Sequence, residues 1–149
     1  MRNIKYLVVH CTASQPEAEV KPIIDYWKNV KKWNTVGYHF LIDNTGKVND
    51  LLSVGIASNG VAGHNSESIN ICYIGGIDRK GKPADTRSKE QKEALITLLT
   101  RLKADYPKAK IVGHRDLSPD LNGDGIIQVS EWLKMCPSFD AITEYKHLN

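Results

Sequence analysis

Cysteine is scarce in this chain. Cys11, Cys72 and Cys136 are the only three in 149 residues, and an odd number at wide spacing excludes a framework of paired disulfides. Long apolar runs are missing too. The N-terminus, Met1-Arg2-Asn3-Ile4-Lys5-Tyr6-Leu7-Val8-Val9, opens with charge and continues only for the length of a strand, too short for a signal-peptide core or a membrane span. The expectation is synthesis in the cytosol without a signal peptide, and no membrane insertion. Neither sign of charge dominates: 20 Lys and Arg face 17 Asp and Glu, a net charge of +3. The cations are interleaved with acidic residues, so no nucleic-acid partner is expected. Internal repeats, linkers and low-complexity stretches are also absent, which makes residues 1–149 a single domain and a monomer the simplest expectation.

What is present fits a well-filled core: 41% of residues are hydrophobic and 25% charged, ordinary proportions for a globular domain. Ile4 to Thr12 reads as a buried strand. Pro22 suits a first helical turn, and Ile23, Ile24, Trp27, Val30 and Trp33 recur at helical spacing up to about Asn34, with both Trp expected as core anchors. Tyr38 to Asp43, the turn Asn44-Thr45-Gly46 and Lys47 to Leu52 form a hairpin signal. Gly55 to Ser68, rich in Gly, Asn and Ser, predicts a long surface loop of the kind that borders sites. Ile69 to Ile74 is a second buried strand. Ser88 and Gln91 make a capping-box signature ahead of Ala94, Leu95, Leu98, Leu99 and Leu102. Ala109 to Val112 is a short strand, Trp132 to Met135 a helical turn, and Ser138 the cap of a last helix whose Phe139, Ile142 and Tyr145 face inward. Alternating strands and helices predict an α/β fold, a central mixed β-sheet flanked by helices on both faces.

Cys11 and Cys72, each inside an apolar β-branched run, read as small buried hydrophobes. Cys136, before Pro137, reads differently. His10 closes the first strand and His114 follows the last, so two imidazoles and a thiol stand where sites are commonly built. Three such protein ligands leave a fourth position open, the arrangement of catalytic zinc. Spacing alone leaves hydrogen-bonded structural histidines as the commoner reading.

Five segments, VVHCTAS (Val8 to Ser14), DYWKNVKKWNTVGYHFLIDNTG (Asp25 to Gly46), NSESINICYIGGIDRKGK (Asn65 to Lys82), VGHRDLSP (Val112 to Pro119) and KMCPSFD (Lys134 to Asp140), carry a resemblance. In that order they resemble successive blocks of the T7-lysozyme-like, type 2 N-acetylmuramoyl-L-alanine amidases, a family that also includes the peptidoglycan recognition proteins. The resemblance spans Ile4 to about Tyr145. It implies a zinc enzyme that hydrolyses the amide between N-acetylmuramic acid and L-alanine in peptidoglycan, with His10, His114 and Cys136 as zinc ligands. Tyr38 and Lys134 match the family's catalytic pair. Zinc makes a hydroxide available near neutral pH, the two side chains are donors suited to the tetrahedral oxyanion, and the leaving amine takes its proton from Tyr38 or from the zinc-held water. His39, next to Tyr38 on a strand, would point to the other face and be structural. His64, in the long loop, is a candidate contact to glycan or stem peptide. Action on the cell wall or periplasm would require a holin or a dedicated export system.

One segment departs from the family pattern. Asp120 to Leu133 looks inserted between the second His and the Cys. Asp120 to Glu131 fits the calcium-loop pattern D-x-[DN]-x-[DN]-G-x5-E at every specified position. Asp120, Asn122, Asp124, the Ile126 carbonyl, Gln128 and Glu131 are the candidate ligands of a structural Ca2+. A polar surface turn is the plain alternative, since Pro119 precludes an entering helix. Two rivals to the enzyme follow: a peptidoglycan-binding module of the same fold, and a calcium-responsive interaction protein.

Overall fold

The computed structural model describes residues 2–149. Strands β1 (Tyr6–Cys11), β2 (Phe40–Ile42), β3 (Val48–Asp50), β4 (Ser68–Tyr73) and β5 (Lys110–Gly113) form one sheet in the order β3-β2-β4-β1-β5. All neighbours are parallel except the hairpin pair β2 and β3. Parallel strands are covered on both faces, and the central strands obey this. Leu7, Val9 and Cys11 of β1 join Ile69, Ile71 and Tyr73 of β4 in the main core. Val8 on the other face packs with Val61 and Val112, and Cys72 with Leu41 and Ile74. Cys11 and Cys72 are thus buried small residues, as their sequence context predicts.

Helix α2 (Lys89–Asp105) closes the main core with Leu95, Leu98, Leu99 and Leu102. Its capping box is formed: the Gln91 N–H donates to Ser88 Oγ over 3.1 Å, and the Ser88 N–H to Gln91 Oε1 over 3.0 Å. The Gln91 amide, fully buried, also donates to the carbonyls of Ile42 and Ile74 at 3.2 and 3.0 Å. This bolts the start of α2 to the ends of β2 and β4. On the opposite face lies α1 (Val20–Asp25), which sets Val20 and Ile23 against Leu41, Cys72 and Ile74. Helices therefore flank both faces of a mixed sheet, as expected. No helix among the described residues is long and apolar enough to cross a membrane.

Several elements differ from their sequence pattern. The helix expected through Asn34 widens after Asp25 into a π turn, Tyr26–Val30. Adding a residue per turn rotates the apolar stripe, so Trp27 is buried while Val30 is 64% exposed. Lys32, at φ 57°, ends the helical path, and half-buried Trp33 is left outside the core. The last helix, α3 (Ala141–Glu144), is one turn long and is capped by Asp140, not Ser138. Ser138 sits at φ 69°, where its hydroxyl donates to the Gly76 carbonyl over 2.9 Å. Phe139 and Tyr145 are buried, but Ile142 is exposed. The turn expected at Trp132 to Met135 occurs earlier, as a 3-10 turn at Val129–Glu131.

Two polar devices finish the fold. The Arg87 guanidinium lies 3.4 Å from the Phe139 ring centroid and pairs with Asp85 and with Glu144 of α3. At the β5 edge, Asn149 serves as a surrogate strand. Its Oδ1 accepts from the Ile111 N–H at 2.8 Å and its amide donates to the Ile111 carbonyl at 3.3 Å.

Candidate active site

Strand register assembles the site. Val9 lies opposite Gly113, and His10 opposite Cys72, so His10 and His114 come next to each other at the carboxyl ends of two adjacent parallel strands. Their ring centroids are 4.8 Å apart. Alternation places His10 with Val8, away from the main core.

Cys136 reaches them from the far end of the chain because its turn is pinned on several sides. The Cys11 N–H donates to Cys136 Sγ over 3.2 Å, the Arg115 N–H to the Cys136 carbonyl over 2.9 Å, and the Tyr73 hydroxyl to the Pro137 carbonyl over 2.6 Å. The Cys136-Pro137 peptide is cis. Gly113 makes the close approach possible, since a Cβ there would lie 2.7 Å from Pro137 Cδ. One ligand atom from each of His10, His114 and Cys136 falls within 4.8 Å of the others, and no second such cluster occurs among the described residues.

The donors suit a metal. His10 is fully buried, with Nε2 2.8 Å from Asn70 Oδ1 and Nδ1 3.8 Å from Cys136 Sγ. Burial, then the neighbouring His114, holds the His10 imidazole well below its ordinary range. His114 is lowered to about 4 by burial and the Lys134 charge. Both rings are thus neutral at pH 7, with lone pairs available. Burial pushes the Cys136 thiol up, so a cation is what would favour its thiolate. Two neutral imidazoles and one thiol make a donor set that fits zinc.

The cluster opens into a cleft of about 410 Å³, whose lining includes Trp33, Tyr38, His114, Leu133, Lys134 and Cys136. Tyr38 lies just before β2, its ring 4.9 Å from that of His10 and 5.3 Å from that of Trp27. Burial and then the nearby thiols push the phenol well above its ordinary range. It remains a hydrogen-bond donor at any working pH. Lys134 is exposed at the rim, close enough for its charge to act on both histidines. The long loop also contributes, with Asn59, Gly60, Val61 and Ala62 on the cleft wall.

Other sequence candidates lie elsewhere. His64 is not on the cleft wall: its Nδ1 pairs with Glu67 over 3.0 Å and its ring meets Tyr6 edge-on, at the start of β1 and away from His10. His39 is buried beneath the cleft, accepting the Asn70 N–H at Nδ1 over 2.9 Å, with Nε2 2.8 Å from the Ile56 carbonyl. In the 120–131 segment the carboxylates are turned onto backbone. Asp120 accepts from the N–H groups of Gly123 and Gly125, and Glu131 from those of Leu121 and Gln128, at 2.7–2.9 Å. Asp124 accepts from Ile126 N–H and from the Gln128 amide, both at 2.9 Å, while Asn122 Oδ1 accepts from the Asp124 N–H at 3.2 Å.

Sequence reasoning missed Trp33 and Asn70. Trp33 falls, by spacing, in a helix stripe that the π turn breaks. The signal for Asn70 was there: a polar residue in the middle of the apolar run Ile69-Asn70-Ile71-Cys72 has to find a partner.

The class is an α/β domain with an open cleft, beside a His, His, Cys cluster that could hold a metal, at the carboxyl edge of a mostly parallel sheet. The family profile described as N-acetylmuramoyl-L-alanine amidase matches residues 1–125, and the chain belongs to that family. It is 36% identical to the endolysin of Enterobacteria phage K11 over 133 residues, 89% of this chain and 79% of that protein. Its fold is similar to that of the N-acetylmuramoyl-L-alanine amidase LysC from Clostridium intestinale, with a TM-score of 0.74 at 20% identity, covering 99% of this chain and 87% of the other. Drosophila peptidoglycan recognition protein SA shares the fold at a TM-score of 0.70 and 19% identity, covering 98% and 79%.

Proposed function

We propose that this chain is a zinc-dependent N-acetylmuramoyl-L-alanine amidase that hydrolyses the amide between the lactyl group of N-acetylmuramic acid and L-alanine in peptidoglycan. The observation that carries the reading is the His10, His114 and Cys136 cluster, whose His114 and Cys136 line the same cleft as Tyr38 and Lys134. A binding module needs the cleft but not this set of donors.

Zinc held by these three residues would supply Lewis acidity, activating water and polarising the scissile carbonyl. The chain's own groups do the rest. As carbonyl carbon becomes tetrahedral, negative charge gathers on its oxygen, and the Lys134 ammonium and the Tyr38 hydroxyl are the donors on the cleft wall suited to meet it. One such donor is commonly worth about a hundredfold or more in turnover. Burial keeps Tyr38 protonated, so its hydroxyl stays a hydrogen-bond donor to that oxygen. Trp27, packed edge-on to the Tyr38 ring, limits the rotamers open to that phenol. A Cβ at Gly37 would lie 3.1 Å from the Trp27 indole, so a side chain there would disturb this packing.

Peptidoglycan is the proposed partner and the monomer the proposed working form. The site of action would be the cell wall or periplasm, reached through a holin or a dedicated export route. The calcium reading of residues 120–131 rests on sequence pattern alone. The test of function is incubation of purified protein with defined muropeptides and mass analysis of the products. Release of free stem peptide is expected. Binding to peptidoglycan without release would replace the enzyme by a recognition module.

A further inference from the structure

Asn70 is fully buried in the middle of β4, and its amide bridges the metal cluster and the long loop. Its Oδ1 is 2.8 Å from His10 Nε2 and its Nδ2 donates to Ser58 Oγ over 2.8 Å. Beneath it, His39 Nδ1 accepts the Asn70 backbone N–H at 2.9 Å and stands 3.4 Å from Ser58 Oγ, while His39 Nε2 faces the Ile56 carbonyl at 2.8 Å.

Two backbone groups fix the His39 tautomer, against the more distant Arg2 guanidinium at 3.4 Å from Nε2. A carbonyl cannot donate, so His39 carries its proton on Nε2, and Nδ1 is the acceptor that the Asn70 N–H requires. Asn70 Nδ2 donates to Ser58 Oγ, so the hydroxyl accepts on that side and keeps its own proton away from the amide. Oδ1 is then the amide atom that faces His10, where only an N–H can meet it. His10 Nδ1 is left without a proton and faces Cys136 Sγ at 3.8 Å.

Resting on the zinc reading above, we infer that Asn70 is a positioning residue. Its Oδ1 holds His10 in the Nε2–H tautomer, with Ser58 anchoring the other end of the amide, so that Nδ1 is the nitrogen offered to the metal. Gly60 is part of the device. A Cβ at that position would lie 2.3 Å from Asn70 Cγ and 2.5 Å from both Oδ1 and Nδ2, so glycine leaves room for the amide between loop and strand. A partner on the second nitrogen of a liganding histidine orients the ring and raises its basicity, and its loss commonly weakens metal binding 10- to 100-fold.

The test uses full-length, zinc-loaded protein labelled with 15N-histidine, together with zinc affinity from chelator competition. Wild type should show a slowly exchanging proton on His10 Nε2. Asn70→Ala should lose that protection and bind zinc roughly 10- to 100-fold more weakly. Asn70→Asp restores the acceptor and should recover both readouts. Ser58→Ala, which removes only the anchor of the amide, should fall between. If folded Asn70→Ala kept the protected proton and wild-type affinity, or folded Asn70→Asp were as impaired as the alanine variant, the residue would be packing only and the inference overturned. Should Asn70→Ala fail to fold, the aspartate and Ser58 variants decide it by the same readouts. A wild type that holds zinc and the protected proton but releases no stem peptide sinks the amidase reading and supports this one.

Discussion

The backbone N–H of Cys11 donates to Cys136 Sγ across 3.2 Å, tying the residue after one candidate ligand to another candidate 125 positions along the chain. Burial pushes the Cys136 thiol up and outweighs the pull of that N–H toward the thiolate, which leaves a cation to favour the charged form. Cys136→Ser puts a weak zinc donor in that place. One zinc per wild-type chain is expected by elemental analysis, and much less in the serine variant. Full stoichiometry and full activity in Cys136→Ser would remove Cys136 from the ligand set.

Tyr38→Phe and Lys134→Ala should keep zinc and fold yet lose roughly a hundredfold or more in turnover, since both line the cleft and are proposed to meet the oxyanion rather than the metal. Steady-state kinetics on a defined muropeptide, with zinc content measured on the same preparations, checks this. Loss of zinc along with activity would make them part of the metal site instead.

His39 provides a pH prediction outside the ligand set. Burial lowers its folded pKa, so as pH falls below about 6.5 the unfolded chain takes up a proton that the native ring resists. Stability is then lost toward the lower folded pKa, at up to about 1.4 kcal/mol per pH unit. Denaturant melts of wild type and His39→Gln between pH 7.5 and 5 should show a smaller acid loss in the variant, and parallel losses would remove His39 as the cause.

Arg87 joins Asp85 to Glu144 beneath the Phe139 ring. Truncating it to alanine strands both carboxylates and undercuts the ring. A loss of about 3–5 kcal/mol is expected, the scale for breaking a buried pair from one side, with partial exposure of the carboxylates pulling toward the lower end. Chemical denaturation is the measurement, and a change below about 1 kcal/mol would mark the cluster as surface electrostatics.

Glu131 closes the 120–131 loop by accepting from the Leu121 and Gln128 N–H groups. Glu131→Ala should therefore cost roughly 1–3 kcal/mol of stability, the penalty of leaving such donors unmet, and lower the melting temperature even without added calcium. Repeating the melts in millimolar calcium separates the two sequence readings. A wild-type rise that the variant lacks favours an ion site, and superimposable curves leave a self-bonded turn.

The readable and unreadable parts of this molecule differ in physical kind. The strands around His10 and Cys72, and the helix capped by Ser88, were legible because burial on both faces and a 3.6-residue leucine stripe leave direct periodic marks. The cluster of His10, His114 and Cys136 was legible through motif blocks rather than spacing, since the register of Val9 on Gly113 that joins two of its members is a long-range fact. The π turn at Tyr26, the displaced last cap and the Asn70 relay were not. The turn depends on a local change of hydrogen-bond ladder, the cap on Ser138 being drawn to the Gly76 carbonyl, and the relay on loop atoms meeting a strand.

Asn149, lying along β5, has a bearing on behaviour in concentrated solution. An unpaired outer strand is a template on which a neighbouring molecule can add its own backbone. Here the amide of a single side chain already engages both polar groups of Ile111. A second copy approaching that margin finds no free N–H and carbonyl pair at its centre, so crowding should not drive strand-to-strand stacking through β5.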